Sequence, residues 1–110
     1  MDTLFSIPDE ARSPDSGELF EILLQGGNGL LVERIISHGH TTPEGEWYDQ
    51  EKDEWVAVLQ GEATLLFADG REVFLGQGMH VFLPRHEKHR VTHTSSPCIW
   101  LAIHGSLCVK

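Results

Sequence analysis

The chain has 110 residues, which is close to the usual size of one domain and too short for two. Eight Lys and Arg residues against 17 Asp and Glu residues give a formal net charge of -9, which repels phosphate backbones and anionic membrane surfaces. With no apolar stretch near the roughly 20 residues of a membrane span, we expect neither a nucleic-acid nor a membrane partner.

The first 29 residues are predicted to form an N-terminal arm and a short helix that pack on a larger domain of residues 30–110. Residues 1–16 carry Pro8 and Pro14 among Asp and Ser residues, a composition typical of an arm lying over a surface. After Glu18, apolar residues at 19, 20, 23 and 24 fall on one helical face, before a glycine-rich stretch at 26–29. The pattern therefore predicts a short helix, with a strand as the alternative.

From Leu30 onward, short β-rich segments are separated by turn residues at close intervals. Asp69-Gly70 between two such segments is a strong hairpin signal, because both residue types tolerate positive φ. The predicted strands are 30–38, 54–60, 62–68, 71–75, 79–83, 88–94 and 98–104. This pattern of short strands separated by turns predicts an all-β barrel or sandwich.

The seven histidines all lie between residues 38 and 104, within the predicted β region. Because side chains two apart share a face of a strand, His38 and His40 can point the same way, with Cα atoms roughly 7 Å apart. His89 and His93 would also share a face, but about 13 Å of strand separates them, so at most one can bind a given ion. The others, His80, His86 and His104, are expected to be surface or structural histidines.

Glu54 begins a predicted strand whose inward-facing set would be Glu54, Val56 and Val58. A buried carboxylate at this position needs a partner or a metal ion. The alternative to a functional role is a structural ion pair with Arg34 or Arg90.

Two spacings in the sequence are typical of a known family. Glu54 is followed six residues later by Gly61, and Gly78, Pro84 and His89 follow at further fixed intervals. These residues resemble the end of the first motif and the second motif of the cupin superfamily, G-x5-HxH-x3,4-E-x6-G and G-x5-P-x-G-x2-H-x3-N. The chain is most similar to the small, single-domain, bacterial-type cupins of the conserved-barrel (cupin 2) group. Three positions depart from the family: Met79 stands where an Asp often follows the first glycine, His86 replaces the second glycine, and His93 stands at the asparagine position.

The resemblance implies a single jelly-roll, or double-stranded β-helix, barrel with a site inside it. Two alignments compete for the two histidines of the first motif: the family's spacing selects Tyr48-Asp49-Gln50, and residue chemistry selects His38-Gly39-His40. The implied metal ligands are accordingly His89, Glu54 and either His40 or Gln50. The second alignment makes residues 41–53 an insertion whose Trp47 and Tyr48 could line the pocket with His38.

The first functional hypothesis is a divalent ion, Fe, Mn, Ni or Zn, held by these ligands and acting on a small-molecule substrate. The resemblance implies oxygenase-, isomerase- or decarboxylase-like chemistry. The alternative is a non-catalytic binding or regulatory cupin without bound metal, and whether the chain is an enzyme stays open. A third hypothesis is a structural dimer built by outward-facing Trp55, Leu59, Trp100 and Ala102.

Two further expectations concern assembly and compartment. A domain of this size buries a modest share of its surface, which favours a homodimer. Cys98 and Cys108 have no CxxC spacing and the N-terminus has no secretory apolar region, so we expect a reduced, cytoplasmic chain.

Overall fold

In a computed structural model, which describes residues 3–110, the chain forms two facing antiparallel sheets. The strands are Leu19–Gln25 (β1), Leu31–Ser37 (β2), Asp53–Gln60 (β3), Ala63–Phe67 (β4), Glu72–Leu75 (β5), His80–Leu83 (β6), His89–Thr94 (β7) and Cys98–Gly105 (β8). One sheet has the order β1-β2-β8-β3-β6 and the other the order β5-β4-β7. All seven strands predicted after residue 30 are confirmed, and the arrangement is the expected all-β jelly roll.

The core lies between the two sheets, because alternate residues of the strands turn apolar side chains inward. Its buried residues are Val56, Val58, Ala63, Leu65, Phe67, Leu75, Leu83, Cys98, Trp100 and Ala102. Since Trp100 and Ala102 are buried here while Leu59 packs on the opposite face near Ile99, the outward surface expected to combine these residues is wrong.

The segment expected to be helical is instead β1, an edge strand paired antiparallel with β2. Apolar residues at 20, 22 and 24 also fit the period of a strand, which the helical pattern of 19, 20, 23 and 24 obscures. A short isolated helix is marginal in water, whereas β1 gains backbone hydrogen bonds along β2. Tertiary pairing therefore overrides the local pattern.

The N-terminal arm packs on the outer face of the five-stranded sheet. It forms two short 3-10 turns, Asp9–Ala11 and Pro14–Ser16, and its Ala11 is buried against Ile36 and Ile99. The buried guanidinium of Arg34 holds the arm by donating to the carbonyl oxygens of Leu4, at 3.1 Å, and Ser6, at 2.6 Å. Between residues 3 and 110, no helix is long and apolar enough to cross a membrane.

The predicted hairpin joins β4 and β5 as expected, with one difference in its turn. Gly70 alone of the two turn residues has a positive φ, of 95°. Asp69 contributes through its carboxylate, which accepts hydrogen bonds from the backbone N–H of Arg71 at 2.9 Å and its Nε at 2.8 Å.

Candidate functional site

A cavity of about 80 Å³, open to solvent at its mouth, lies between the two sheets. Most of its walls are formed by apolar side chains, and a few polar and titratable side chains lie among them. The lining residues are Glu18, Phe20, Glu33, Ile35, Tyr48, Gln50, Glu54, Val56, Leu65, Leu83, His89, Val91, Trp100 and His104. An apolar cavity with a few convergent polar groups is the usual form of a small-molecule site.

Glu54 is the most deeply buried carboxyl group of this cavity, with 7% of the residue exposed. It lies on β3 in the inward set with Val56 and Val58, as the alternation predicts. Burial raises the pKa of Glu54, and the nearby imidazoles of His104 and His89 oppose this rise only in part. The carboxyl group is therefore poised to exchange a proton at a higher pH than an exposed Glu would.

The structural ion pair considered for Glu54 is not formed with either arginine. Arg34 lies on the opposite face of β2, where its Nε donates to Glu21 at 2.7 Å, and Arg90 donates to the Thr42 carbonyl oxygen at 3.2 Å. Glu54 instead lies near the imidazole of His104, whose Nε2 is 3.9 Å from Oε2 of the carboxyl group.

His104, expected to be a surface or structural histidine, lines the cavity. Its Nε2 lies 2.8 Å from Oε1 of Glu33, so a carboxylate holds this imidazole in place. The signal for His104 was available in the sequence, because Trp100, Ala102 and His104 alternate along β8 and so share its inner face. Glu33 and Ile35 alternate on β2 in the same way.

His89 is buried at the start of β7, and its ring orientation is defined by its own hydrogen bond. Nδ1 lies 3.0 Å from the carbonyl oxygen of Glu87, which can only accept, so Nδ1 carries a proton. In a neutral imidazole Nε2 is then free to accept a proton or to ligate an ion. The ring stacks on Tyr48, with ring centroids 5.4 Å apart.

Tyr48 and Gln50 both line the cavity, where the alignment based on spacing expects them. The segment that carries them runs beside β7: the Tyr48 N–H donates to the His89 carbonyl at 2.8 Å, and the His86 N–H donates to the Gln50 carbonyl at 2.8 Å. Asp49, between them, points outward and bonds to Nδ1 of His86 at 2.8 Å.

His38 and His40 do not line this cavity, in contrast to their expected role in a pocket. The ring of His38 bonds to the Ala11 carbonyl of the arm and, at 2.9 Å, to the Ser96 hydroxyl. The Nδ1 atom of His40 accepts the backbone N–H of His38 at 2.8 Å. This local hydrogen bond turns His40 back onto its own loop, away from Glu54.

Two more expected positions differ in the structure. Trp47 lies outside the cavity, where the Arg90 guanidinium sits 5.8 Å from its ring centroid. His93 does not share a face with His89, because the pairing of β4 with β7 shifts by one residue between Thr64 and Leu65. Such a bulge reverses the alternation, and His93 lies on the surface, 3.4 Å from Glu62.

Glu18 is a further cavity residue that the sequence interpretation missed. It accepts a hydrogen bond from the fully buried Ser37 hydroxyl, which itself accepts the indole N–H of Trp100 at 3.1 Å. This network fixes Glu18 against the cavity wall. Burial raises the pKa of Tyr48, and the negative charges of Glu18, Glu54 and Glu33 add to this rise, so its phenol stays a hydrogen-bond donor.

The donors of this cavity fit a divalent ion only in part. Glu54 and His89 are two strong ligand types, and the Gln50 amide is a weaker third. Across residues 3–110, no three His, Cys, Asp or Glu side chains converge as a metal-binding group. An ion held here would therefore depend on the Gln50 amide oxygen.

Comparisons with known proteins agree with this fold. The sequence profile described as "Cupin domain" matches residues 32–104. A crystal structure from Ralstonia eutropha JMP134, of a protein named provisionally as a mannose-6-phosphate isomerase, shares 37% identity and a TM-score of 0.85 over 97% of this chain and 98% of that one. Among curated proteins, none matches this sequence.

Two more distant structures share the fold alone. The EutQ protein of Clostridium difficile is 15% identical, with a TM-score of 0.69 over 92% of this chain and 80% of that one. The polyketide cyclase RemF from Streptomyces resistomycificus is 24% identical, with a TM-score of 0.66 over 82% of this chain and 66% of that one. From the profile match and the 37% identical structure, the chain is a small, single-domain member of the cupin family.

Proposed function

We propose that the chain binds a small organic molecule in its barrel cavity and exchanges a proton with it through Glu54. The observation that carries this proposal is a buried carboxyl group of raised pKa, facing two imidazoles inside an apolar cavity. Perturbed titratable groups in a cavity are typical of acid–base sites. A carboxyl group whose pKa moves toward neutrality is a better proton donor and acceptor at the working pH.

Each polar neighbour has a distinct part in this proposal. His104, oriented by Glu33, faces Glu54 and stabilises its ionised form after a proton leaves. His89 presents Nε2 as a second proton acceptor, and the Tyr48 phenol donates a hydrogen bond to an oxygen or nitrogen of the ligand. The apolar walls reduce the number of water molecules around the transferred proton.

The similarity to a protein named provisionally as an isomerase is consistent with this chemistry, because proton transfer is the elementary step of many isomerisations. The family's other chemistries implied by the sequence motifs, oxygenase and decarboxylase reactions, find no separate support among these side chains. We therefore propose an isomerase-like proton transfer as the activity to test first.

The test begins with binding and continues to proton exchange. Wild-type protein is titrated with a set of small neutral, cationic and anionic molecules while its backbone amide NMR signals are recorded, and each binder is then incubated with the protein in D2O. We expect the binder to shift signals of Glu54, His89 and His104, and to gain deuterium at carbon in the presence of wild-type protein. Glu54→Gln should abolish the deuterium uptake.

The chain contains a matched control. Glu62 also lies beside a histidine, His93, but this pair is exposed on the surface. Glu62→Gln should leave binding and deuterium uptake unchanged. Binding without deuterium uptake would contradict proton exchange and would support the non-catalytic, metal-free alternative; absence of binding would contradict the proposal as a whole.

Metal binding is a second candidate function, favoured by the orientation of His89. Its Nδ1 donates to the Glu87 carbonyl, as metal-ligating histidines commonly do through their other ring nitrogen, and Nε2 shares the cavity with Glu54 and Gln50. The ion would be Fe, Mn, Ni or Zn, acting as a Lewis acid. Metal analysis should then show loss of the ion in Glu54→Ala and His89→Ala but not in His40→Ala; equal, substoichiometric metal in all would contradict it.

We also propose a homodimer, with β1 as its contact surface. β1 is an edge strand, and its Phe20, Ile22 and Leu24 are exposed by 53%, 58% and 66%. An edge strand with exposed apolar side chains can pair with the same strand of a second copy. Sedimentation should show a dimer that Ile22→Lys dissociates and Phe74→Lys, on β5, does not; a monomeric wild-type protein would contradict this.

The expected cytoplasmic location remains a proposal, supported by the state of the two cysteines. Cys98 and Cys108 are both free thiols. Burial raises the pKa of Cys98 to about 12, so this thiol is unreactive inside the core. Cell fractionation tests the location directly, and recovery with secreted proteins would contradict it.

A further inference from the structure

The permanently ionisable acidic and basic side chains that line the cavity are all acidic, and this indicates the charge of the ligand. Three carboxyl groups, Glu18, Glu33 and Glu54, line it, and none of its lining residues between positions 3 and 110 is Lys or Arg. The arginines of the adjoining strands point away: Arg34 binds Glu21 and the N-terminal arm, and Arg90 binds the Thr42 carbonyl. The two imidazoles of the cavity carry positive charge only when protonated.

The carboxyl groups are held in place yet keep capacity to accept hydrogen bonds. Glu18 accepts one from Ser37, and Glu33 one from His104. An ionised carboxylate has about four acceptor positions, so both retain free positions toward the cavity.

Glu54 is a third acceptor facing the cavity. The residue is 7% exposed, its Oε2 lies 3.9 Å from His104 Nε2, which is too long for a hydrogen bond, and the Gln50 side chain is its neighbouring donor. A carboxylate with one neighbouring donor keeps acceptor positions for a ligand that brings N–H donors and positive charge.

Aromatic rings complete the cavity's preference. Phe20, Tyr48 and Trp100 line the same space as the carboxyl groups. Aromatic faces attract cations and also pack against an apolar body. The net charge of -9 adds a long-range attraction for positive ligands.

Resting on the proposed function, we infer that the ligand of this cavity is a small organic cation: an ammonium group on an apolar body, rather than a phosphorylated or carboxylated molecule. The ammonium group binds the carboxyl groups, and the apolar body packs against the aromatic and aliphatic walls. A phosphate group would meet three carboxyl groups and no arginine or lysine to bind it. The ligand class thus differs from the sugar phosphate in the name of the Ralstonia eutropha protein.

The test uses probes that share one apolar body and differ in charge. Benzylamine, benzyl alcohol and benzoate, and in parallel cyclohexylamine, cyclohexanol and cyclohexanecarboxylate, are titrated into the full chain near neutral pH, together with mannose 6-phosphate. We expect each amine to bind at least about tenfold more tightly than its alcohol, as a charge-assisted hydrogen bond implies. The carboxylates and mannose 6-phosphate should show no saturable binding, and the amine affinity should fall as salt is added.

Variants identify the groups responsible. Glu18→Gln and Glu33→Gln should each weaken amine binding by about tenfold and alcohol binding by clearly less, because the alcohol carries no charge. Glu72→Gln, at an exposed position of β5, is the matched control and should bind like wild type. Using two variants at separate places keeps the test valid if either substitution disturbs folding.

The outcomes separate this inference from the proposed function. An alcohol that binds as tightly as its amine, or a carboxylate or phosphate that binds better, overturns the cation preference while the cavity stays a small-molecule site. Failure of every probe to bind overturns both. Amine binding that Glu18→Gln and Glu33→Gln leave unchanged places the cation outside the cavity and also overturns the inference.

Discussion

Gly61, the glycine of the first motif, is predicted to be indispensable because of the space around it rather than its flexibility alone. It follows β3 with a φ of 87°, and a Cβ atom added there would lie 2.3 Å from Ser95 Oγ and 2.5 Å from the Pro97 carbonyl oxygen. Ser95 Oγ is fixed in place, since it accepts the Glu62 N–H at 2.8 Å and donates to the Pro97 carbonyl at 2.9 Å. The backbone oxygen cannot move without displacing the β7–β8 turn.

The cost of Gly61→Ala has two parts. A left-handed conformation costs a residue with a Cβ about 1–2 kcal/mol. Forcing an extra carbon into packed surroundings adds about 1–3 kcal/mol, so the free energy of unfolding should fall by about 2–5 kcal/mol. For a domain of this size we expect a loss of about 8–20 °C in Tm.

Gly70→Ala is the matched control, because Gly70 has a similar φ of 95° but no atoms within 4 Å of an added Cβ. It should show only the conformational cost of about 1–2 kcal/mol. Urea unfolding followed by tryptophan fluorescence measures both variants. If Gly61→Ala proves no less stable than Gly70→Ala, the argument from close contact is refuted.

Three further predictions concern stability at positions linked to the site. His86→Gly should raise the free energy of unfolding by up to about 1 kcal/mol, because His86 has a φ of 63°. Loss of the hydrogen bond to Asp49 offsets part of this gain. A marked fall in the free energy of unfolding, measured in urea, would contradict the prediction. Ser37→Ala should lower the free energy of unfolding by about 1–3 kcal/mol, since it leaves the buried indole N–H of Trp100 unpaired. Ser106→Ala, at an exposed position, should leave it unchanged. Equal effects of the two substitutions in thermal unfolding would refute this. Glu54→Gln should stabilise the protein near neutral pH. Because the folded-state pKa of Glu54 is raised, the wild-type protein loses stability as the pH rises above the ordinary value of 4.5, and it loses none below that value. A stability difference from wild type that stays constant with pH would contradict the raised pKa of Glu54.

The parts of the fold and site that depend on alternation along strands could be predicted from the sequence. Glu54 and Val56 face inward as the period of two requires, and the motif spacing from Gly78 to His89 corresponds to a real turn and strand. The same rule applied to β8 and β2 would have found His104 and Glu33, since each alternates with an inward apolar residue. His104 was missed because a histidine in a strand was interpreted as structural by default, and Glu33 because no motif pointed to it.

The parts that failed depend on contacts that local patterns do not encode. The bulge that turns His93 outward is visible only in the pairing of β4 with β7. Whether Gln50 or His40 lines the cavity depends on the backbone pairing of Tyr48 with His89, which fixes the loop before β3. His86 stands where the second motif has glycine, and its positive φ shows that the backbone kept the glycine conformation after the residue changed.

The most direct test of the account is nitrogen NMR of the histidine side chains while the small-molecule probes are added. A binding probe should shift the signals of the ring nitrogens of His89 and His104, which line the cavity, and leave those of His38 and His93 unchanged. Binding that shifts His38 or His93 but neither cavity histidine would contradict the central claim that the barrel interior, around Glu54, is the functional site.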